Sequence, residues 1–342
     1  MLSANIHLSA HSQNINQFYK DGNTKLPFIF FLSSKNRINN DEYTILVGFI
    51  STPLFSERLV LCFFVILCYL LSMLKITLKK NEDRRIKTGH PWIFSNEIAA
   101  IDGMVEPGIA AELVDGGGSF IGRGYYTPHS LIAFRLLTRQ RENVDSAEFY
   151  EQRFSAALAH RRGIYPSLQT FRAIYGESDF LPGLVVDKYE EYLSLQILSA
   201  GMERRRDLIL EALKKVFAPC GIIARNDVAV RSLEKLEQTV EVLFGEIPDL
   251  VEMKENGLRF LVDLRHGQKT GGFLDQKENH LLLRGICAGK NVLDCFCYSG
   301  SWAAHAGSFG AKAVLGIDIS ARAVAMAART AELNSQIGRA HV

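Results

Sequence analysis

The sequence predicts a multidomain α/β protein, and three observations lead to that class. Its 342 residues provide enough length for two or three domains with their own cores. Short β-branched and aromatic runs separated by glycine turns come early in the chain, and a mixture of helical and strand periods follows them. Near the C-terminus, residues 291–320 read as strand, glycine-bearing turn, helix, strand and acid, an order that builds a nucleotide pocket in a doubly wound sheet.

Composition limits the possible functions. An apolar content of 47% and a charged content of 22% fit a soluble globular protein. The formal net charge of +2 does not by itself indicate a nucleic-acid partner, so any basic surface must be local. The six cysteines include no paired CxxC motifs, which predicts neither a zinc site nor a disulfide framework. We therefore expect no metal and a reducing, cytoplasmic compartment.

The two ends of the chain differ from the rest. Residues 1–72 hold few charges, and the apolar run from Leu59 to Leu74 is shorter than the roughly twenty residues that a membrane helix needs. This segment is either a membrane anchor or a non-native or disordered extension. We favour the extension, because the sequence from Met73 begins like an ordinary cytoplasmic domain. We interpret residues 337–342 (IGRAHV) as an artefactual tail, so that native sequence would end near Gln336.

Residues 73–142 predict a small β-barrel with a basic stretch near its start. Strand-like runs alternate with glycine turns such as the one at residues 115–118. Cations interleaved with an aromatic ring suit phosphate contacts and base stacking, although a solvated charged loop is an equally good interpretation. The candidate RNA-binding residues are Arg84, Arg85, Lys87, His90 and Trp92.

Residues 145–252 predict a central α/β domain. Apolar residues at helical spacing indicate a helix over 146–162, the runs LPGLVVDKY and YLSLQIL indicate a hairpin, and residues 203–217 form an amphipathic helical pattern. Arg204, Arg205 and Arg206 open that last helix, where positive charge is unfavourable. These arginines either face an anion or are simply solvated.

Residues 253–336 begin the predicted nucleotide-binding domain. A hairpin with its turn at residues 255–257 is followed by the polar, glycine-rich segment 267–280. Gly300 then precedes an alanine-rich helix, whose free N–H groups suit an anionic group. Asp318 ends the next strand and could bond both ribose hydroxyls. The pocket therefore fits an adenosine-type cofactor.

The glycine turn distinguishes between cofactors. A dinucleotide site usually carries G-x-G-x-x-G, whereas residues 298–303 here read YSGSWA, with one glycine and a bulky tryptophan. Asp294 adds a negative charge that suits an ammonium and a sulfonium but repels phosphate. These features favour S-adenosylmethionine over NAD. A nucleotide-dependent oxidoreductase and a domain without cofactor remain as alternatives. Cys295 and Cys297 are two apart and would share a strand face, so we expect both to pack or line the pocket.

Several ordered motifs resemble one known family. The motifs are KTGHPWIFSNEI, ESDFLPGLVVDKY, ARND, RSLEKLE, GQKTGGFLDQKENH, VLDCFCYSGSWA and GIDIS. From about Met73 to Asn334 the chain resembles the bacterial class I SAM-dependent 23S rRNA methyltransferases of the RlmI-like, cytosine-5 family. The resemblance implies a PUA-type β-barrel over 73–142, a central α/β domain over 145–252 and, from 253 to 336, the start of an incomplete Rossmann-like SAM methyltransferase sheet.

The resemblance also implies roles for individual residues. S-adenosylmethionine would be the cofactor and large-subunit ribosomal RNA the partner. Asp294 is included for its negative charge, and the cofactor-binding residues would then be Gln276, Asp294, Phe296, Tyr298, Ser299, Gly300 and Asp318. Lys277 and His280 stand where the family has arginines, which weakens any phosphate fork there.

No catalytic residue is assigned within this chain. The resemblance places a DPP-type loop and the cysteine that attacks the cytosine beyond residue 342, so we expect a truncated fragment that is inactive by itself. A non-catalytic RNA-binding protein is the alternative.

Overall fold

A computed structural model describes residues 73–336, four short strands between residues 31 and 48, and a strand at Arg339–His341. The chain divides into two compact units, residues 1–73 and 74–342. In the first unit, two antiparallel pairs join Phe31–Leu32 to Val47–Gly48 and Lys35–Ile38 to Asp41–Thr44. The predicted apolar run lies, up to Ser72, outside the described residues. Within the described part, no helix is both long and apolar enough to cross a membrane.

The second unit begins with a six-stranded sheet, in the order β2-β6-β5-β4-β1-β3. Strand β1 pairs with β4 in parallel, and the other pairs are antiparallel. Its strands and one short helix are β1 (Leu74–Leu78), α1 (Arg84–Lys87), β2 (Trp92–Ile93), β3 (Ile98–Asp102), β4 (Ile109–Val114), β5 (Phe120–Tyr126) and β6 (Phe134–Thr138). Alternate residues Leu74, Ile76 and Leu78 are buried in its core, as the period of a strand requires.

A five-stranded sheet with strands in sequence order β7 to β11 follows. Strands β9 and β10 are parallel and the rest antiparallel. The elements are α2 (Ala147–Ile164), β7 (Thr170–Tyr175), β8 (Leu184–Tyr189), β9 (Tyr192–Ile197), α3 (Ala200–Glu203), α4 (Arg206–Phe217), β10 (Gly221–Arg225), α5 (Val230–Leu233) and β11 (Val240–Gly245). Ser146 is the N-cap of helix α2, and its Oγ accepts a hydrogen bond from Phe149 N at 3.3 Å.

The sequence predicted that the three arginines open one continuous helix, and this prediction was wrong. The helix is interrupted between α3 and α4, and Arg205 is buried there, donating to the carbonyls of Gly108 and Gly201 at 2.7 and 2.8 Å. Its partner acid is Asp145, at 2.7 Å. The neighbouring ion pairs are Arg204–Glu106 at 2.8 Å and Arg206–Glu241 at 2.5 Å. The three arginines are therefore neutralised inside the chain, and two of them connect the first sheet to the central domain.

The last part contains a hairpin and a parallel sheet of three strands, in the order β14-β15-β16. Its elements are β12 (Val251–Glu255), β13 (Leu258–Val262), α6 (Lys277–His280), β14 (Asn291–Cys295), α7 (Ser301–Ser308), β15 (Ala313–Ile317), α8 (Ala321–Leu333) and β16 (Arg339–His341). The hairpin turn falls on Asn256 and Gly257, with φ of 51° and 86°, as an Asn-Gly pair favours. The multidomain α/β class is confirmed.

The two faces of the three-stranded sheet differ in exposure. Leu293 and Leu315 are 58% and 39% exposed, whereas Val292 and Val314 are half-buried. Because successive strand residues point to opposite faces, the two leucines share the exposed face and the two valines share the covered one. On the valine side, a cavity of about 250 Å³ is lined by small residues of α7, α8 and β15.

Candidate functional site

The turn after β14, residues 296–300, is here called the glycine loop. Phe296, Tyr298 and Gly300 all have positive φ, at 63°, 47° and 77°. Two of these residues are not glycine, so the loop holds a backbone conformation that their side chains disfavour. A Cβ at Gly300 would lie 2.8 Å from Ala327 Cβ in α8. Gly300 is therefore required both by its φ and by the close approach of α8.

Two carboxylates hold the glycine loop in place. Asp318, just after β15, accepts from Tyr298 N and Ser320 N, each at 2.9 Å. Asp294 in β14 accepts from Ala303 N, in the first turn of α7, at 3.1 Å. The N–H groups of Ser301 and Trp302, which precede Ala303, have no acceptor within the helix because they belong to its first turn. The loop, the helix start and the two acids thus come together, as the strand–turn–helix pattern predicted.

The electrostatics of this site favour a cation. Burial raises the pKa of Asp294, and the neighbouring Asp318 adds to that rise. Burial also raises the pKa of Cys297 to about 11, with further contributions from Asp294 and Asp318. Each group becomes harder to deprotonate, because the site is partly desolvated and already negative. A ligand with an ammonium or sulfonium next to its carboxylate fits this combination of acids and helix N-terminus.

The other predicted cofactor residues are placed around the loop. Tyr298 is half-buried, and its hydroxyl accepts from Gln268 N at 3.1 Å. Ser299 is half-buried in the turn, whereas Phe296 is 88% exposed. Gln276 directs its side chain to Asp275 and Asn279 within its own segment, at 3.3 and 3.1 Å. The hydrogen bonds of Gln276 therefore do not reach the glycine loop.

The segment that Tyr298 touches, residues 267–273, is here called the GQKT loop, and a buried network fixes it. Thr270 Oγ1 donates to Asp187 Oδ2 at 2.5 Å and lies 3.1 Å from the Tyr189 hydroxyl. That hydroxyl also accepts from Gly272 N at 3.0 Å. Arg172 closes the network with two 3.0 Å bonds to Asp187. The motif VVDKY therefore supports the GQKT loop, a role that the sequence did not reveal.

Arg225, from the ARND motif, fixes the other end of the GQKT loop. It donates to the carbonyls of Leu264 and Gly267 at 3.0 and 2.7 Å, and Asp227 holds its guanidinium with two 3.0 Å bonds. The motifs VVDKY and ARND both belong to the set that carries the family resemblance, although the sequence assigned neither of them a role. Their membership of that set was the one sequence signal that they matter to the site.

Family comparisons agree with this arrangement. Residues 76–139 match the PUA-like domain family, and residues 183–341 match the S-adenosylmethionine-dependent methyltransferase family. The methyltransferase match covers just under half of the chain. Proteins named ribosomal RNA large subunit methyltransferase I are similar to it: those of Tolumonas auensis and Aeromonas hydrophila are 36% and 39% identical over 264 and 263 residues. Each alignment covers 76% of this chain but 66% of the relative, so the chain spans just under two thirds of their length.

Two solved structures share the fold of this chain. One is described as a SAM-dependent methyltransferase from Streptococcus mutans, with 21% identity and a TM-score of 0.65 over 78% of this chain and 70% of that one. The other is a methyltransferase complexed with SAH, with 22% identity and a TM-score of 0.66 over 78% and 68%.

Cys295 and Cys297, at the end of β14 and just after it, do not share a face, contrary to prediction. Cys295 ends β14 and is exposed, whereas Cys297 is buried within the glycine loop. The strand ends before Phe296, whose positive φ reverses the alternation of side chains. Cys297 therefore forms part of the pocket wall as expected, and Cys295 does not pack.

Lys277 and His280, at the positions of the family's arginines, make no fork for a phosphate. Lys277 Nζ lies 3.9 Å from the centre of the Tyr165 ring. His280 is buried, with Nδ1 2.6 Å from Glu255 Oε1.

The candidate RNA-binding residues form an exposed patch around α1. Arg84, Arg85, Lys87 and His90 are exposed. Arg85 donates to the Trp92 carbonyl at 3.2 Å, and Lys87 pairs with Asp83. The half-buried Trp92 donates from Nε1 to Glu177 in the central domain at 2.8 Å, and His90 packs against its ring. The basic patch is thus partly neutralised by acids of its own.

Proposed function

We propose that this chain binds S-adenosylmethionine at the glycine loop. The observation that carries the proposal is the convergence of Asp318, Gly300 and the start of α7 around one turn. A second carboxylate, that of the half-buried Asp294, lies beside this turn. The family match over residues 183–341 supports the same ligand. When bound, this cofactor supplies an electrophilic methyl group on its sulfonium.

The chain's own residues would bind and orient the cofactor. Asp318 retains lone pairs for ribose hydroxyls while its two backbone bonds fix its position. The first N–H groups of α7 would receive the carboxylate of the methionine part. Asp294 would face the ammonium and sulfonium, whose positive charge relieves the repulsion between the two acids.

The proposed substrate is large-subunit ribosomal RNA, with cytosine C5 as the methyl acceptor. The names of the relatives, the PUA-like match over residues 76–139 and the exposed cations around α1 support this substrate. The reaction would take place in the cytoplasm, where that RNA is found. The choice of C5 rests on the resemblance of the motifs to the cytosine-5 family.

We also propose that the 342-residue polypeptide does not turn over by itself. Methylation at C5 requires a thiolate that adds to the ring. Among the described residues next to the glycine loop, Cys297 is buried with a pKa of about 11 and therefore stays protonated at neutral pH. Cys295 is exposed at the end of β14, where the alternation of a strand places it on the same face as the exposed Leu293. We expect no methyl transfer to unmodified ribosomal RNA, and turnover above background would contradict this.

Cofactor binding is tested with Asp318→Ala, measured by isothermal titration with S-adenosylmethionine. Loss of charge-assisted bonds worth about 1.5–3 kcal/mol each predicts roughly tenfold or greater weakening. Asp318→Asn keeps an oxygen for Tyr298 N, which separates the ribose contact from the loop contact, and Asp102→Ala on the exposed end of β3 is the control. Unchanged affinity in Asp318→Ala, or tight binding of NADH by the unmutated chain, would refute the assignment.

RNA binding is tested by replacing Arg84, Arg85 and Lys87 with alanine. The expected result is weaker binding and a shallower salt dependence, by roughly 0.7 to 0.9 of a slope unit for each lost phosphate contact. The matched control replaces three exposed cations on α2 and α4, namely Arg162, Lys214 and Lys215. If affinity and slope respond equally in both triple variants, the patch is only a solvated face.

A further inference from the structure

Three buried side chains outside the glycine loop form a cluster, here called the histidine cluster: Glu255, His280 and His305. They are 6%, 1% and 0% exposed. They come from three different elements, the end of β12, the end of α6 and the middle of α7. One potential ligand atom from each residue lies within 4.8 Å of the other two. The family resemblance and the cofactor proposal give this cluster no role.

The hydrogen bonds determine which nitrogen of His305 is available. Its Nδ1 lies 2.7 Å from the Ser301 carbonyl, which can only accept, so Nδ1 carries the proton. Nε2 therefore has its lone pair directed into the cluster, 3.7 Å from Glu255 Oε1 and 3.2 Å from Asn256 Nδ2. A backbone carbonyl that orients the far nitrogen of a histidine is the usual support for a metal-binding imidazole.

His280 is the second imidazole. Its Nδ1 lies 2.6 Å from the same carboxylate oxygen, and its ring stacks on His305 with centroids 4.5 Å apart. Its Nε2 is buried and has no hydrogen-bond partner among the described residues. His280 Nε2 is therefore a buried polar atom whose hydrogen bond is not made, and buried polar groups normally avoid that cost.

Aromatic rings hold the cluster in position. Phe260 stacks on His305 at 5.5 Å, and Trp302 packs its edge against His280 at 4.6 Å. The two imidazole rings are therefore fixed in orientation, and both lie close to the same oxygen of Glu255.

We propose that Glu255, His280 and His305 form a binding site for a divalent transition metal of the zinc type. Two imidazole nitrogens and one carboxylate oxygen are ligands that this class of ion prefers. Tetrahedral zinc with bonds near 2.0–2.1 Å separates its ligands by about 3.3 Å, so the three ligand atoms, which now lie within 4.8 Å of one another, would need only small shifts. The amide of Asn256, which now lies 3.2 Å from His305 Nε2, would give way to the ion.

The ion would act as a structural link. It would join the β12–β13 hairpin, the segment after the GQKT loop and α7, whose first turn forms part of the glycine loop site. The expectation of no metal rested on cysteine spacing, which does not bear on a site built from histidines and a glutamate.

The test is a titration of the whole 342-residue chain, freed of metal by chelator, with Co²⁺ followed by visible absorption and then with Zn²⁺ by calorimetry. We expect one equivalent to bind and a rise in Tm. His305→Gln and Glu255→Gln should weaken binding at least tenfold, whereas His160→Gln, an exposed histidine on α2, should not. Absence of Co²⁺ absorption, or His305→Gln binding as well as the unmutated chain, would overturn the proposal.

A second variant distinguishes a metal site from a purely hydrogen-bonded cluster. Asn256→Gly keeps the positive φ of the turn but removes the amide that competes for His305 Nε2. It should bind Zn²⁺ at least as tightly as the unmutated chain, and loss of binding would count against the site. Should the ligand variants not fold, X-ray absorption of the Co²⁺-loaded unmutated chain decides: two imidazoles in the first shell support the proposal and none refutes it.

Discussion

At the scale of single residues, the main feature of the pocket is a pair of acids close to one turn. Asp318 is held by two backbone N–H groups, whereas Asp294 has one such bond and is partly desolvated. The site therefore carries unfavourable negative charge that a cationic ligand would relieve, at some cost to the stability of the ligand-free protein.

Asp294→Asn should stabilise the ligand-free protein in a pH-dependent way. Because the pKa of Asp294 is raised in the folded state, its ionisation removes stability as pH rises from the unfolded pKa through the folded one. The amide does not ionise and can still accept from Ala303 N. We expect the gain in Tm to be largest near neutral pH and to shrink below about pH 4. Thermal unfolding from pH 4 to 8, with Asp102→Asn as control, measures it; a pH-independent difference would contradict the electrostatic cause.

At the scale of elements, the GQKT loop shows how distant motifs act as one unit. Thr270 bonds to β8, Arg225 at the end of β10 bonds to the loop's carbonyls, and Tyr298 joins the loop to the glycine loop. The motifs VVDKY, ARND and YSG therefore share one structural task, which is to fix two adjoining loops. Because these bonds are buried, their loss should destabilise the whole unit.

Thr270→Val should lower stability by about 1.5–3 kcal/mol, because Asp187 is buried and loses a hydroxyl donor of nearly the same shape. Thr127→Val is a closely matched control: Thr127 is also buried, and its Oγ1 has no partner in the described part of the chain. Urea unfolding of both variants measures the difference. Equal effects would show that the Thr270 hydroxyl contributes nothing specific.

At the scale of the whole molecule, the larger sheets of the described part differ in how well they are covered. The central sheet packs against α2 and α4 and contributes most of a large buried core. The three-stranded sheet exposes Leu293, Leu315 and Ile317 on one face, and β14 has one strand neighbour among the described strands. Open edges and uncovered apolar faces favour local opening and association.

The amides of β14 and β15 should therefore exchange hydrogen much faster than those of β8 and β9. Exchange depends on the free energy of local opening, which is low where buried contacts are few. Hydrogen–deuterium exchange followed by mass spectrometry of the 342-residue chain measures both regions in one sample. Similar protection of the β14–β15 amides and the β8–β9 amides would contradict this account.

Much of the local structure could be predicted from the sequence because it depends on neighbouring residues. Ser146 caps its own helix, Asn256-Gly257 adopts the positive φ that its turn needs, and Gly300 followed by a helix and Asp318 defines the nucleotide-type turn. Tertiary structure alone decided the pairing of the arginine triplet, the opposite faces of Cys295 and Cys297, and the meeting of Glu255, His280 and His305. The first group follows from backbone preferences and short hydrogen bonds, which adjacent residues encode. The second depends on how separate elements pack, and no spacing along the chain specifies those contacts.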